Sequence, residues 1–146
     1  MKEKMLCPIV IVIAFLICCI VYFKPLSLSD VAGADNQIKM VYSQLGVKNG
    51  ESYIDSVDYQ DITMEQKNAI LSLLDKYTYR RTVGTLFSNG STSDLGNKTF
   101  SIYVYDNNLL INSVLVTSSG KVVINEKTYN MEDAEPFIEQ IVEIMN

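Results

Sequence analysis

The chain has no histidine and no tryptophan. Without histidine it cannot assemble a Ser-His-Asp or Cys-His catalytic set, a histidine-ligated zinc site or a simple histidine pH switch. Cysteine is nearly as scarce. Cys7, Cys18 and Cys19 all fall inside one apolar stretch, so the rest of the chain has no disulfide, no thiolate nucleophile and no sulfur metal ligand. A domain of this size manages without disulfides, and their lack fits a bacterial surface better than a eukaryotic secretory route. Positive charge is also in short supply: from Asp35 onward, nine Lys and Arg stand against fifteen Asp and Glu. An acidic domain with no basic stripe argues against nucleic acid as a partner and against attraction to anionic lipid headgroups. No motif carries a catalytic, cofactor or metal signature, so the expectation is a protein that is not an enzyme and needs no cofactor.

What is present begins with an uncharged run, Met5–Phe23 (MLCPIVIVIAFLICCIVYF). About 20 apolar residues span the hydrocarbon core of a bilayer, and this run sits at the lower edge of that range. Pro8 falls in the first turn, where its missing N–H costs no intrahelical bond. Lys2 and Lys4 precede the run, offset by Glu3, and Lys24 follows it. That bias places the amino terminus in the cytoplasm and the remainder outside, as a single-pass protein of the cell membrane. Three fates compete for the run. It is a retained anchor over residues 1–24, or a signal peptide cut near Ala34 in Ala32-Gly33-Ala34, which would leave a secreted domain. The third is a lipoprotein acylated at Cys19, where only Leu16 matches a lipobox and the residues after the cysteine stay apolar. The retained anchor is the reading preferred.

Residues 25–36 mix Pro, Ser, Gly and Asp, and are expected to form a solvated linker. A single domain over 37–146 follows. Alternating residues on either side of Asn49-Gly50 predict a β-hairpin, although Ile38, Val41 and Leu45 also stand at helical spacing. Thr63-Met-Glu-Gln66 is a capping-box pattern, and Ile70, Leu71, Leu74 and Tyr77 then mark one apolar face of a helix. Residues 84–98 read as a long polar loop. Strands are expected at Thr99–Tyr105, Leu109–Thr117 and Val122–Asn125, joined by short turns. A closing helix over Met131–Met145 carries Pro136 near its start. The order β-β-α-β-β-β-α gives an α+β fold, an antiparallel sheet of about five strands packed on two helices.

Ile62–Leu74, the Tyr77–Thr82 segment with its Arg-Thr, the polar loop 84–98 and the strands of Phe100–Asn125 together carry a resemblance. The chain is similar to small membrane-anchored extracytoplasmic domains of unknown function from clostridia and related Gram-positive bacteria. The resemblance covers roughly residues 36–146. It implies an α+β surface domain and transfers no catalytic or binding residue.

Arg80 and Arg81 are the first choice for a ligand site, because guanidinium forks match carboxylates and phosphates bidentately. Their plainer reading is charge compensation at a helix end. Tyr103 and Tyr105 share one strand face opposite Phe100, Ile102 and Val104, which makes them a stabilising ladder or a platform for a glycan or a protein. Asp55, Asp58 and Asp61 are spaced by three but lack the ligand pattern of a calcium loop, and read as charges that protect a strand edge. Ser88, Ser91, Thr92 and Ser93 have no base beside them. Asn89 and Asn97 head N-glycosylation acceptors that bacterial export would leave bare. The functional expectation is an anchored binding domain whose partner is an envelope protein, a peptide or wall material. Two alternatives remain, a carboxylate-based glycan hydrolase and a regulatory or immunity-type membrane protein.

Overall fold

Asn49 and Gly50 both take positive φ, 55° and 82°, as a two-residue type I′ hairpin turn requires. They join β2 (Gln37–Lys48) to β3 (Glu51–Tyr59), which pair antiparallel from Met40↔Tyr59 to Lys48↔Glu51. The hairpin therefore wins over the helical spacing of Ile38, Val41 and Leu45. A computed structural model of the chain describes residues 3–91 and 97–146, with side chains of the first helix described from Ile9 on. Thr92 and Ser93 lie outside the described residues.

The remaining elements, in chain order, are α1 (Glu3–Tyr22), β1 (Leu26–Ser27), α2 (Met64–Lys76), β4 (Thr78–Tyr79) and α3 (Val83–Phe87). Then come β5 (Lys98–Asp106), β6 (Leu109–Thr117), β7 (Lys121–Ile124), β8 (Lys127–Asn130) and α4 (Ala134–Met145). The fold is α+β. One antiparallel six-stranded sheet has the order β3-β2-β5-β6-β7-β8, and β1 and β4 form a separate two-stranded piece. The sixth strand, β8, exists because Asn125 and Glu126 both adopt positive φ and fold the chain back on β7. Glu is not a usual resident of that conformation, so the turn is not visible in composition.

One face of the sheet is covered and the other is open. Met40, Phe100, Ile102, Val104, Val116 and Val122 are buried on the covered face. Against them lie Ile70, Leu73 and Leu74 of α2 and Phe137, Ile138 and Ile141 of α4. The α2 capping box forms as the sequence requires: Gln66 N–H donates to Thr63 Oγ1 at 3.2 Å, and Thr63 N–H donates to Gln66 Oε1 at 3.0 Å. Pro136 occupies the first turn of α4, where no intrahelical donor is needed.

Of residues 25–36, expected as a solvated linker, 26–32 are part of the domain instead, while 33–35 stay exposed. Leu26 and Ser27 pair with Tyr79 and Thr78, and a 3-10 turn over Leu28–Val31 follows, with Ser27 as its cap. Leu28, Val31 and Ala32 are buried in the common core. The Ser and Asp that suggested solvated coil serve as cap and first-turn acid, leaving Leu28 and Val31 free to turn inward. Likewise the expected loop 84–98 opens with α3, capped by the reciprocal Thr82–Thr85 pair.

The two sheet edges differ. β3 is bare, with every residue but Tyr59 exposed. The β8 edge is covered by the segment after α2, where Arg80 N–H donates to Asn130 O at 2.8 Å and Asn130 N–H returns to Arg80 O at 3.0 Å. Among the described residues no helix is long and apolar enough to cross a membrane. The 20-residue α1 presents its large apolar side chains from Ile9 to Val21 to the outside.

Candidate functional site

The covering segment builds one wall of an open concavity. Tyr79 is buried, its ring edge-on to Tyr129 at 4.9 Å. Strand alternation then turns Arg80 outward. Arg81 follows, its guanidinium carbon 5.5 Å from the centroid of the Tyr22 ring at the end of α1. Across the gap, the β6–β7 turn brings in Lys121, opposite Asn130 in register. The C-terminus of α2 contributes Lys76, and the start of α4 contributes Asp133 and Pro136. The result is an open groove of about 720 Å³.

Four cations line it, Lys76, Arg80, Arg81 and Lys121, against two carboxylates, Glu132 and Asp133. In a chain whose formal net charge is −5, that is a local reversal of sign. The cations are only lightly engaged. Arg80 Nη1 lies 3.8 Å from Glu132 Oε1, and both side chains are mostly exposed, so solvent screening leaves this pair weak. Lys121 Nζ donates to Asn130 Oδ1 at 3.0 Å, a neutral acceptor. Gln140 is held by donating to Tyr77 Oη at 2.8 Å. Such an arrangement offers forked donors to a carboxylate or phosphate.

Arg80 and Arg81, adjacent in sequence, thus line one groove together with Lys76 and Lys121. Lys76 stands four residues before Arg80 at the end of α2, whereas Lys121 carries no signal in the sequence, because only its register with Asn130, itself bridged to Arg80, brings it to the arginines. Tyr103 and Tyr105 lie elsewhere. Tyr103 sits between Lys39 and Ser113 on the open face of the sheet, and Lys39 Nζ stands 5.5 Å from the Tyr105 ring centroid. β5 is three strands from β8, roughly 14 Å at the usual interstrand spacing, so tyrosines and arginines do not form one site. Cys19 lies on α1.

The carboxylates do not converge at β3. Asp55 pairs with Gln44 and Asp58 with Val41, so the two point to opposite faces of the hairpin. Asp61 lies beyond the strand and lines a second, smaller concavity with Asp35 and Lys67. Among the described residues no group of three His, Cys, Asp or Glu is placed to hold a metal ion. Ser88 Oγ donates to Thr85 O and accepts from Thr128 N–H, which makes it a structural hydroxyl. No family model matches this chain, and no curated protein and no solved structure matches it.

Proposed function

We propose that this protein is a membrane-anchored extracytoplasmic domain that binds, without transforming, an anionic envelope ligand. The ligand offers a carboxylate or phosphate group to the Arg80–Arg81 groove. The observation that carries this reading is the groove itself, four cations around one opening in an otherwise acidic chain. The resemblance to anchored clostridial domains belongs to the same proposal.

Two features support retention of the anchor. The uncharged run continues from Met5 to Phe23, and its helical part, Met5–Tyr22, rises about 27 Å, at the lower edge of what the roughly 30 Å hydrocarbon core requires. Cleavage near Ala34 would also remove Leu28, Val31 and Ala32 from the core. The hydrolase alternative has little support, since Asp55 and Asp58 face apart and a glycosidase needs two carboxyl groups across one bond.

The test is a calorimetric titration of the full chain, held in phosphatidylcholine nanodiscs, with inorganic phosphate and separately with acetate. A second set of discs containing phosphatidylglycerol distinguishes a free anion from a lipid headgroup. Replacing both Arg80 and Arg81 with Gln should weaken binding at least about tenfold, since a hydrogen bond to a charged group is worth about 1.5–3 kcal/mol. Added salt should weaken it too. No binding by the unaltered chain in any disc, or equal binding by the double variant, would remove the groove as the site.

A further inference from the structure

α3 is amphipathic the wrong way round for a helix of a soluble domain. Its inward side is polar: Thr85 is buried, and its Oγ1 donates to Thr128 O at 2.7 Å. The residue after the helix, Ser88, accepts from Thr128 N–H at 2.9 Å, and Lys127 Nζ donates to Ser88 O at 3.0 Å. These bonds fasten α3 to the edge strand β8. Its outward side is apolar, with Val83 62%, Leu86 57% and Phe87 84% exposed. Surface helices ordinarily bury the apolar side, so three large apolar side chains held outward by polar bonds call for an apolar neighbour.

The position of α3 says which neighbour. Its N-cap, Thr82, accepts through its carbonyl oxygen from the Tyr22 hydroxyl at 3.4 Å. Tyr22 is the last residue of α1, and Arg81 lies over its ring. Phe23 packs edge-on to Tyr22 with ring centroids 5.0 Å apart. α3 therefore begins where the apolar surface of α1 ends. Tyr22 and Phe23 stand at the level where aromatic side chains collect at membrane interfaces, and Lys24 and Arg81 stand where cations meet headgroups.

We infer that α3 is an interfacial foot: Val83, Leu86 and Phe87 sit in the headgroup–acyl boundary of the bilayer that α1 enters. This rests on the proposal that α1 spans that bilayer. Amphipathic helices bury their apolar side about 5–10 Å into this boundary. With α1 as one attachment and α3 as a second, the domain is held with its β8 edge toward the membrane. The groove of Arg80 and Arg81 then opens beside the lipid surface, and the bare β3 edge faces away, at the far side of the sheet.

The chain has no tryptophan, so a single introduced Trp is a clean reporter. Three full-length variants are placed in phosphatidylcholine nanodiscs, whose neutral headgroups remove net electrostatic attraction. Ile13→Trp reports on the span, Phe87→Trp on the foot and Val47→Trp on the exposed tip of the β2–β3 arm. Nitroxide-labelled lipids carry the quencher either near the headgroup or near the end of the acyl chain. Ile13→Trp should be quenched best by the deep label, Phe87→Trp best by the shallow one, and Val47→Trp by neither. Phe87→Trp as unquenched as Val47→Trp, with Ile13→Trp still quenched, would overturn the foot and leave the span standing. An unquenched Ile13→Trp would overturn the span and the foot with it. Blue-shifted but unquenched emission from Phe87→Trp would mean a protein surface covers α3, which also overturns the inference.

Discussion

Asn112 Nδ2 donates to the carbonyl oxygen of Val31 at 2.7 Å, tying β6 to the turn that precedes the main sheet. The bond joins residues 81 apart, and Leu28, at the start of the same 3-10 turn as Val31, is fully buried. Residues 26–32 thus belong to the folded domain as much as any strand does. Leu28→Ala in the full chain should lower stability by about 2–5 kcal/mol, the usual cost of the cavity left by a core leucine. Asn112→Ala should cost about 1 kcal/mol, because the Val31 carbonyl loses its donor. Chemical denaturation in nanodiscs, followed by tyrosine fluorescence, measures both. A Leu28→Ala change below about 0.5 kcal/mol, the scale of surface substitutions, would mean that the segment is a peripheral strap.

The same burial predicts the state of the native protein. Mass spectrometry should find residues 1–34 still attached. A mature terminus at Asp35 would contradict retention, and a diacylglyceryl group on Cys19 would identify a lipoprotein.

Leu74 lies in the middle of the buried side of α2, next to Ile70 and Leu73, whereas Lys76 is exposed on the same helix. Leu74→Ala should cost about 2–5 kcal/mol, and Lys76→Ala less than about 0.5 kcal/mol. Equal losses would show that the helix packs on a different side. Lys76 also lines the groove, so its replacement should weaken phosphate binding while leaving stability almost unchanged.

α2 was legible from sequence because two signals agree on it: a hydroxyl–glutamine cap at Thr63–Gln66 and an apolar period that starts just after it. The β2–β3 hairpin was legible because Asn49-Gly50 is one of the few dipeptides that take the required backbone without strain. β8 was not, since it is four residues long and enters through Asn125-Glu126. Residues 26–32 hid for another reason. Three inward apolar residues, Leu28, Val31 and Ala32, among Ser and Asp make no period, and only the tertiary fold shows that they fill the core. The groove divides in the same way. Arg80 and Arg81 stand side by side in sequence, while Lys121 joins them only through strand register.

Among the described residues, Lys98, Tyr79 and Tyr59 hold their protons more tightly in the folded chain. Lys98 is pushed up by hydrogen bonds from its ammonium to Glu139, at 2.9 Å, and to Glu135, at 3.1 Å, with partial burial opposing. Burial raises Tyr79, helped by Tyr129 and Asp30 and opposed by Arg81, and burial followed by Tyr42 raises Tyr59. Above the ordinary values near pH 10 the unfolded chain loses these protons while the folded chain keeps them. Their contribution is therefore complete below about pH 10 and is lost as pH rises through the folded values. The melting temperature should fall on the alkaline side, and Lys98→Gln should flatten part of that fall. A melting curve independent of pH between about 9 and 11 would rule out these groups as the source.

The last prediction concerns orientation, which decides what the groove can meet. Lys2 and Lys4 precede the uncharged run, so under the proposed anchoring the positive-inside bias predicts an amino terminus in the cytoplasm and a domain outside. Lys48 is exposed beside the Asn49-Gly50 turn, at the tip of an arm that is open to solvent on both sides. Trypsin added to intact, wall-stripped cells should cut there first, because loop tips are preferred sites of nicking. The fragment from the amino terminus to Lys48 should stay with the membrane, held by α1, and keep its two leading lysines uncut. Lysis before digestion should add cleavage at Lys2 and Lys4. Protection of Lys48 in intact cells, with cutting only after lysis, would reverse the topology. The Arg80–Arg81 groove would then face cytoplasmic anions, and the ligand class proposed for it would have to change.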